Sequence, residues 1–324
     1  MIEVGVDALN LAADRRGMGR YARTMLAGLS EQPDLVLTLI DRSILGELKS
    51  RRFDVMWYPW NGIRFTPSAP KVVTIHDPFA FTQAHSCIVA RWREQTPIRR
   101  AARIARSITT VSRWSANEIA RVLHLDAAAI EVIPPILDQF WRPAPLERTM
   151  HPYVLFVAGR EPRKNASMLF AAFERAFPEG DVLLVVAGAL SRIDCAALDR
   201  ARIVHKRVAP NDEALRALYS GALAVAVPSI AEGYGLMAVE AMACGAAVIA
   251  AQAAALPEVC DGAALLVSAR DPQAWSAALQ SVAANDGLRL KLRERSLERV
   301  TRLDSEASVR AMAELLRRVA KGAR

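Results

Sequence analysis

The chain has 324 residues, 52% hydrophobic and 23% charged, which suits two domains with sizeable cores. No apolar run approaches the roughly 20 residues that span a bilayer, and the chain opens directly on a strand pattern, which argues against a secretory leader. The net charge is +8, and residues 91–121 alone hold eight arginines and two glutamates.

Short apolar runs alternate with helical patterns from the start. Residues 4–7, 35–40, 55–58 and 71–75 read as strands, with a helix over 20–29 that turns Ala22, Met25, Leu26 and Leu29 inward. Between residues 91 and 106 lies a basic amphipathic helix. Its arginines (Arg91, Arg93, Arg99, Arg100, Arg103, Arg106) lie largely opposite Ile98, Ala101, Ala102, Ala105 and Ile108. Such a helix suits either a solvated face or an anionic membrane surface. Nucleic acid is not expected as a partner, because aromatics are sparse and no nucleic-acid motif is visible. Strands at 108–111 and 130–133 flank a helix over 115–123 that Ser112 can cap.

Pro134, Pro135, Pro143 and Pro145 exclude helix and sheet interior, and residues 143–152 read as the linker. Strands follow at 153–158 and 182–187 and near Ile203, Leu223, Val248 and Leu265, with helices over 167–177, 272–284 and from 288 onward. Alternating strands and helices mean an α/β protein with parallel sheets covered on both faces. Cys87, Cys195, Cys244 and Cys260 are scattered without metal-ligand spacing and read as four buried, reduced thiols.

The segment Ser229-Ile-Ala-Glu232-Gly-Tyr-Gly235-Leu-Met-Ala-Val-Glu240 places two carboxylates eight residues apart across a strand–loop–helix. Loops at the carboxyl ends of parallel strands bind ligands. Gly233 and Gly235 permit close backbone approach. The first helix N–H groups, from Gly235 through Leu236 to Met237, have no intrahelical partner and suit an anion. Two more loops offer similar chemistry. Gly17 and Gly19 lie between the first strand and first helix, and Gly159-Arg160-Glu-Pro-Arg163-Lys164-Asn165 follows the strand at 153–158. Cations in a dry site can offset charge on a departing diphosphate. His76 and Asp77 follow the strand at 71–75.

Together these motifs, in this order, resemble the retaining, nucleotide-sugar-dependent glycosyltransferases of family 4, including bacterial polysaccharide mannosyltransferases. The resemblance runs along most of the chain and is densest from Pro152 to Val267. It implies the GT-B fold, with two Rossmann-like parallel-sheet domains facing a central cleft. Residues 1–145, with a returning helix at about 308–324, would form the acceptor side. Residues 150–305 would bind the nucleotide sugar.

The resemblance also implies roles for individual residues. His76 would contact the transferred sugar or leaving phosphate, and Arg160 and Lys164 would neutralise the diphosphate. The spacer between those two is one residue short, so Arg163 could replace Arg160. Glu232 would orient the donor sugar and Glu240 would hold the ribose. Gly17, Gly19, Gly235, Leu236 and Met237 would approach the phosphates, and backbone at Arg207 and Val208 would receive the base. No Asp-x-Asp motif occurs, and catalysis without a divalent metal or other cofactor is expected. The donor would be GDP-mannose or a UDP-hexose. The acceptor would be a saccharide or lipid-linked oligosaccharide in surface-polysaccharide or lipopolysaccharide assembly, at the cytoplasmic membrane face. The rival readings are a nucleotide-sugar epimerase and a non-catalytic binding protein.

Overall fold

The computed structural model describes every residue except 15–16, 49–50, 85–86, 146–150 and 323–324. It divides into two units, residues 1–136 with 304–324, and residues 137–303.

The first unit contains β1 (Ile2–Asp7), α1 (Gly17–Ser30), β2 (Leu35–Ile40), β3 (Val55–Tyr58) and β4 (Lys71–Thr74). It continues with α2 (Phe79–Thr82), α3 (Ile88–Ile104), β5 (Ser107–Thr110), α4 (Arg113–Leu123) and β6 (Ile130–Val132). The six strands are parallel in the order β2-β1-β3-β4-β5-β6. Met56, Tyr58, Val73 and Ile75 of the sheet pack against Ile98 and Ala101 of α3 and Ile119 of α4.

The second unit contains β7 (Tyr153–Val157), α5 (Ala166–Ala176), β8 (Leu183–Ala187), α6 (Arg192–Arg200), β9 (His205–Val208) and α7 (Asp212–Gly221). It continues with β10 (Ala224–Val227), α8 (Leu236–Ala243), β11 (Val248–Ala251), α9 (Leu256–Cys260), β12 (Leu265–Val267), α10 (Pro272–Ala284) and α11 (Asp286–Thr301). Its sheet is also parallel, in the order β12-β11-β10-β7-β8-β9. Strand succession reverses between β7 and β10, the switch point at which open α/β sheets place ligands. The final helix, α12 (Ser305–Lys321), belongs to the first unit, where Arg317 pairs with Asp34 at 2.6 Å and Val309 abuts Gly28.

Four details differ from the sequence reading. The first helix begins at Gly17, not Arg20, so both loop glycines lie in its first turn. A side chain at Gly19 would run into the Asp14 carbonyl oxygen, so this glycine admits the chain's own backbone. The boundary between units falls at 136/137, ahead of the linker read at 143–152, because Trp141 is buried edge-on against Tyr219, 5.8 Å between centroids. Residues 146–150 of the linker read at 143–152 lie outside the described residues. Finally, Cys87 is exposed at the N-cap of α3, where its Sγ accepts the Ala90 N–H, and Cys195 is half-buried. Only Cys244 and Cys260 are buried, and none of the four is in a disulfide.

Candidate functional site

Two loops leave the sheet at the switch point of the second unit. After β7 a short 3-10 turn, Pro162–Lys164, folds back through a Lys164 N–H bond to the Glu161 carbonyl, 2.9 Å. Asn165 then takes a left-handed conformation (φ 60°). Its Nδ2 donates to the carbonyls of Pro228 (3.1 Å) and Ala269 (2.8 Å), which ties the loops after β7, β10 and β12 together. The Ile230 N–H donates to the Arg163 carbonyl at 2.9 Å. The loops are therefore preorganised by backbone bonds and by the Asn165 side-chain amide.

The side chains then converge on Glu232. Lys164 Nζ donates to its Oε1 and Arg163 Nη1 to its Oε2, each at 2.8 Å. Arg163 Nη1 also donates to the Ala231 carbonyl at 3.1 Å. Lys164 and Glu232 are buried. Burial works to raise the Glu232 pKa, but the charges of Lys164 and Arg163 more than offset it and hold the carboxyl below its ordinary value. The cluster is two cations on one anion and keeps a net positive charge. Glu232 retains lone pairs for a further donor such as a sugar hydroxyl.

Helix α8 starts beside this cluster. Its N-cap is Gly235 at φ 99°, and no side chain caps it. The amides of Leu236 and Met237 belong to the first turn, where intrahelical acceptors do not exist. Met237 Sδ lies 3.6 Å from Lys164 Nζ, so the helix start and the ammonium share one place. A Cβ at Gly235 would sit 2.7 Å from Leu256 Cδ2. Farther along α8, Glu240 is buried and accepts from the Tyr219 hydroxyl at 3.4 Å.

The remaining expected residues are more dispersed. Arg160 is exposed, and it is Arg163 that reaches Glu232. This follows from the 3-10 turn, which projects Arg163 and Lys164 toward the loop after β10. Arg207 and Val208 end the edge strand β9, with Arg207 exposed. In the first unit, His76 is buried at the end of β4. Its Nε2–H donates to the Pro59 carbonyl at 2.8 Å, which leaves Nδ1 as the acceptor nitrogen. Tyr21 of α1 meets the imidazole edge-on at 4.8 Å. Burial pulls the His76 pKa down to about 4 against the Pro59 bond, so the ring is neutral at pH 7.

Sequence reasoning missed Asp7. It ends β1 at the first unit's own strand-order reversal and is 1% exposed. Oδ1 accepts the Leu9 N–H at 3.1 Å, whereas Oδ2 is buried without a hydrogen-bond partner. Burial raises its pKa to about 6, against the Leu9 bond and the charge of Arg64. An acid closing an apolar strand run was the available signal. Tyr219, the partner of Glu240, carried no comparable signal.

A family model described as "Glycosyl transferases group 1" matches residues 138–299, half of the chain, and one described as "Glycosyltransferase Family 4" matches residues 19–139. The chain belongs to this glycosyltransferase family. An MMP alpha-(1->4)-mannosyltransferase of Mycolicibacterium hassiacum is 32% identical over 208 residues, 59% of this chain and 50% of that protein. O-antigen chain mannosyltransferase B of Escherichia coli is 28% identical over 245 residues, 67% of this chain and 62% of that one. The chain thus spans about half to three-fifths of the length of these relatives. Among solved structures, Anabaena Alr3699/HepE in complex with UDP-glucose superposes with a TM-score of 0.74 at 15% identity, covering 98% of this chain and 99% of that one. The fold is accordingly the GT-B type, with two Rossmann-like parallel-sheet domains.

Proposed function

We propose that this chain is a retaining hexosyltransferase that moves a sugar from a nucleoside diphosphate to a saccharide hydroxyl. The observation that carries this reading is the pairing of Arg163 and Lys164 on buried Glu232, beside the start of α8 at the switch point. Net positive charge and free amide dipoles at one place favour a diphosphate. Glu240 would accept from the ribose hydroxyls, Glu232 would orient the sugar, and the strand end at Arg207 and Val208 would receive the base.

In this reading the bond from the anomeric carbon to the β-phosphate oxygen breaks as the acceptor oxygen bonds to that carbon on the same face. The acceptor proton passes to the departing β-phosphate. Lys164 and Arg163 then act as fixed cations against the charge that builds on the phosphate, in place of a divalent metal. His76, neutral with Nδ1 free to accept, would hold a sugar hydroxyl. In the first unit, Gly17 and Gly19 would leave the first amides of α1 open to an anion.

The names of the two mannosyltransferase relatives support mannose as the transferred sugar, for which GDP-mannose is the first donor to test, and the UDP-glucose complex of HepE keeps UDP-hexoses in the test. The name of the O-antigen relative supports a role in surface-polysaccharide assembly, for which a lipid-linked acceptor at the cytoplasmic membrane face is part of this proposal. A screen for nucleotide release from GDP-mannose, UDP-glucose and UDP-N-acetylglucosamine, with and without lipid-linked saccharide acceptors, tests the proposal. Release that depends on acceptor, with an α-linked product, is expected. Turnover of donor to its epimer without acceptor, or no turnover of any donor, would overturn it.

A further inference from the structure

Helix α3 carries a second surface that the transfer chemistry does not use. One face is anchored. Gln95, Ile98 and Ala101 are buried, and Gln95 Nε2 donates to the Ala80 carbonyl at 2.7 Å. The opposite face is not what a solvated helix shows. Ile88 is 84% exposed, Val89 69%, Trp92 68% and Ile104 44%, on one helix. Isolated exposed apolar residues are ordinary, but three within the first five positions of a helix form a patch.

Charge accompanies the patch. The same helix carries five arginines and one glutamate. Ile88, Trp92, Thr96, Arg99 and Arg103 recur at i, i+4, i+8, i+11 and i+15, which puts apolar and cationic groups on one exposed stripe. Neutral partners hold two of the guanidiniums in place. Arg99 stacks over the Phe81 ring at 5.1 Å and donates to Gln95 Oε1, and Arg100 donates to Thr66 Oγ1 at 3.2 Å. These contacts orient the cations without neutralising them. A cavity of about 590 Å³ opens beside them, lined by Trp92, Thr96, Arg99, Arg100, Arg103 and Ile104. Three cations and an indole around one depression fit a phosphate ester joined to an apolar chain.

We propose that α3 seats the protein on an anionic phospholipid bilayer, with Ile88, Val89 and Trp92 in the interfacial layer and a lipid phosphate against Arg99, Arg100 and Arg103. Trp favours the headgroup depth, and arginines attract anionic lipid. No described helix is long and apolar enough to cross a membrane, and the contact proposed for α3 is peripheral. It does not depend on the donor or the reaction proposed above.

The test is co-sedimentation of the full chain with vesicles of phosphatidylcholine alone or mixed with phosphatidylglycerol, at low and high salt. Binding only to the anionic vesicles, weakened by salt, is expected. Each Arg→Gln change at 99, 100 or 103 should lower the partition coefficient about five-fold. An Ile88→Ser/Val89→Ser/Trp92→Ser variant should also lose binding, whereas Arg310→Gln on α12 should not. Circular dichroism confirms that each variant is folded. Equal binding to neutral vesicles, no binding to anionic ones, or unchanged binding when Arg99, Arg100 and Arg103 are all changed to Gln would overturn the proposal. So would competition by duplex DNA, which would mark a nucleic-acid surface, or by inorganic phosphate alone, which would mark a site for soluble anions.

Discussion

Lys164 Nζ lies 2.8 Å from Glu232 Oε1, between residues 68 apart in sequence and both buried. Neither charge is tolerable there alone. Burying an ion costs several kcal/mol unless a partner and further hydrogen bonds compensate. Arg163 on the second carboxylate oxygen supplies that compensation, so the three side chains form one electrostatic unit.

Breaking the unit on one side should therefore cost more than neutralising both members. Lys164→Met is expected to destabilise the second unit by about 3 kcal/mol, the lower end for a broken buried pair, because Arg163 remains. Adding Glu232→Gln should return at least about 1 kcal/mol of that loss. Denaturant unfolding of both single variants and the double variant measures the coupling, and strictly additive effects would argue against it. The depressed Glu232 pKa adds a sign. Its stabilisation is fully present above the ordinary carboxylate pKa and is lost as pH falls through the lowered folded value.

Asp7 and His76 should produce opposite pH dependences in the first unit. The folded pKa of Asp7 is raised from 3.8 to about 6, so the native state holds the extra proton in that window and stability falls as pH rises. The folded pKa of His76 is lowered from 6.5 to about 4, so the unfolded state holds the extra proton and stability rises with pH. Each swing is on the order of 3 kcal/mol, and between pH 4 and 6 they largely cancel. Asp7→Asn should unmask a stability that climbs with pH, and His76→Gln one that declines. Unfolding across pH 4 to 7 checks both, and parallel curves for the two variants would refute the assignment.

Gly235 combines a positive φ with a tight neighbour, Leu256 Cδ2, 2.7 Å from where a Cβ would lie. Gly235→Ala is expected to cost about 1–3 kcal/mol from backbone strain alone. It should also displace the first amides of α8, so loss of nucleotide affinity should exceed that of Arg160→Ala, whose side chain is exposed. Thermal unfolding and nucleotide titration together test the pair.

Steady-state kinetics should separate the two ends of the site. Glu240→Ala removes a ground-state contact and should act mainly on KM. Lys164→Met removes a charge that matters most as the bond breaks, and should lower kcat about 100-fold or more. Small, equal effects on both parameters in both variants would contradict these roles.

Much of the second unit was legible in the sequence because its strands are unbroken apolar runs bounded by turn residues. Val225-Ala-Val and Val248-Ile-Ala sit in β10 and β11 where the run pattern puts them. The carboxylates of Glu232 and Glu240 were visible through their spacing. What was not visible depends on how loops fold back. The 3-10 turn that turns Arg163 toward Glu232 and leaves Arg160 in solvent has no periodic signature. The Tyr219–Glu240 contact joins two helices through tertiary packing. Helix α1 starts at Gly17 because Gly19 has no Cβ to collide with Asp14, a constraint set by a loop whose path sequence does not reveal. The exposed patch on α3 was equally hidden, since burial of Ile98 and exposure of Ile88 look alike until the sheet is in place.

The central claim is that Arg163, Lys164, Glu232, Glu240 and the start of α8 hold a nucleoside diphosphate sugar. Isothermal titration of the full chain with GDP-mannose, UDP-glucose and UDP-N-acetylglucosamine, repeated with Glu240→Ala, addresses it most directly. Saturable binding of at least one of them, weakened about ten-fold or more by Glu240→Ala, is the expected result. Absence of binding by all three, or an affinity that Glu240→Ala leaves unchanged, would contradict the claim.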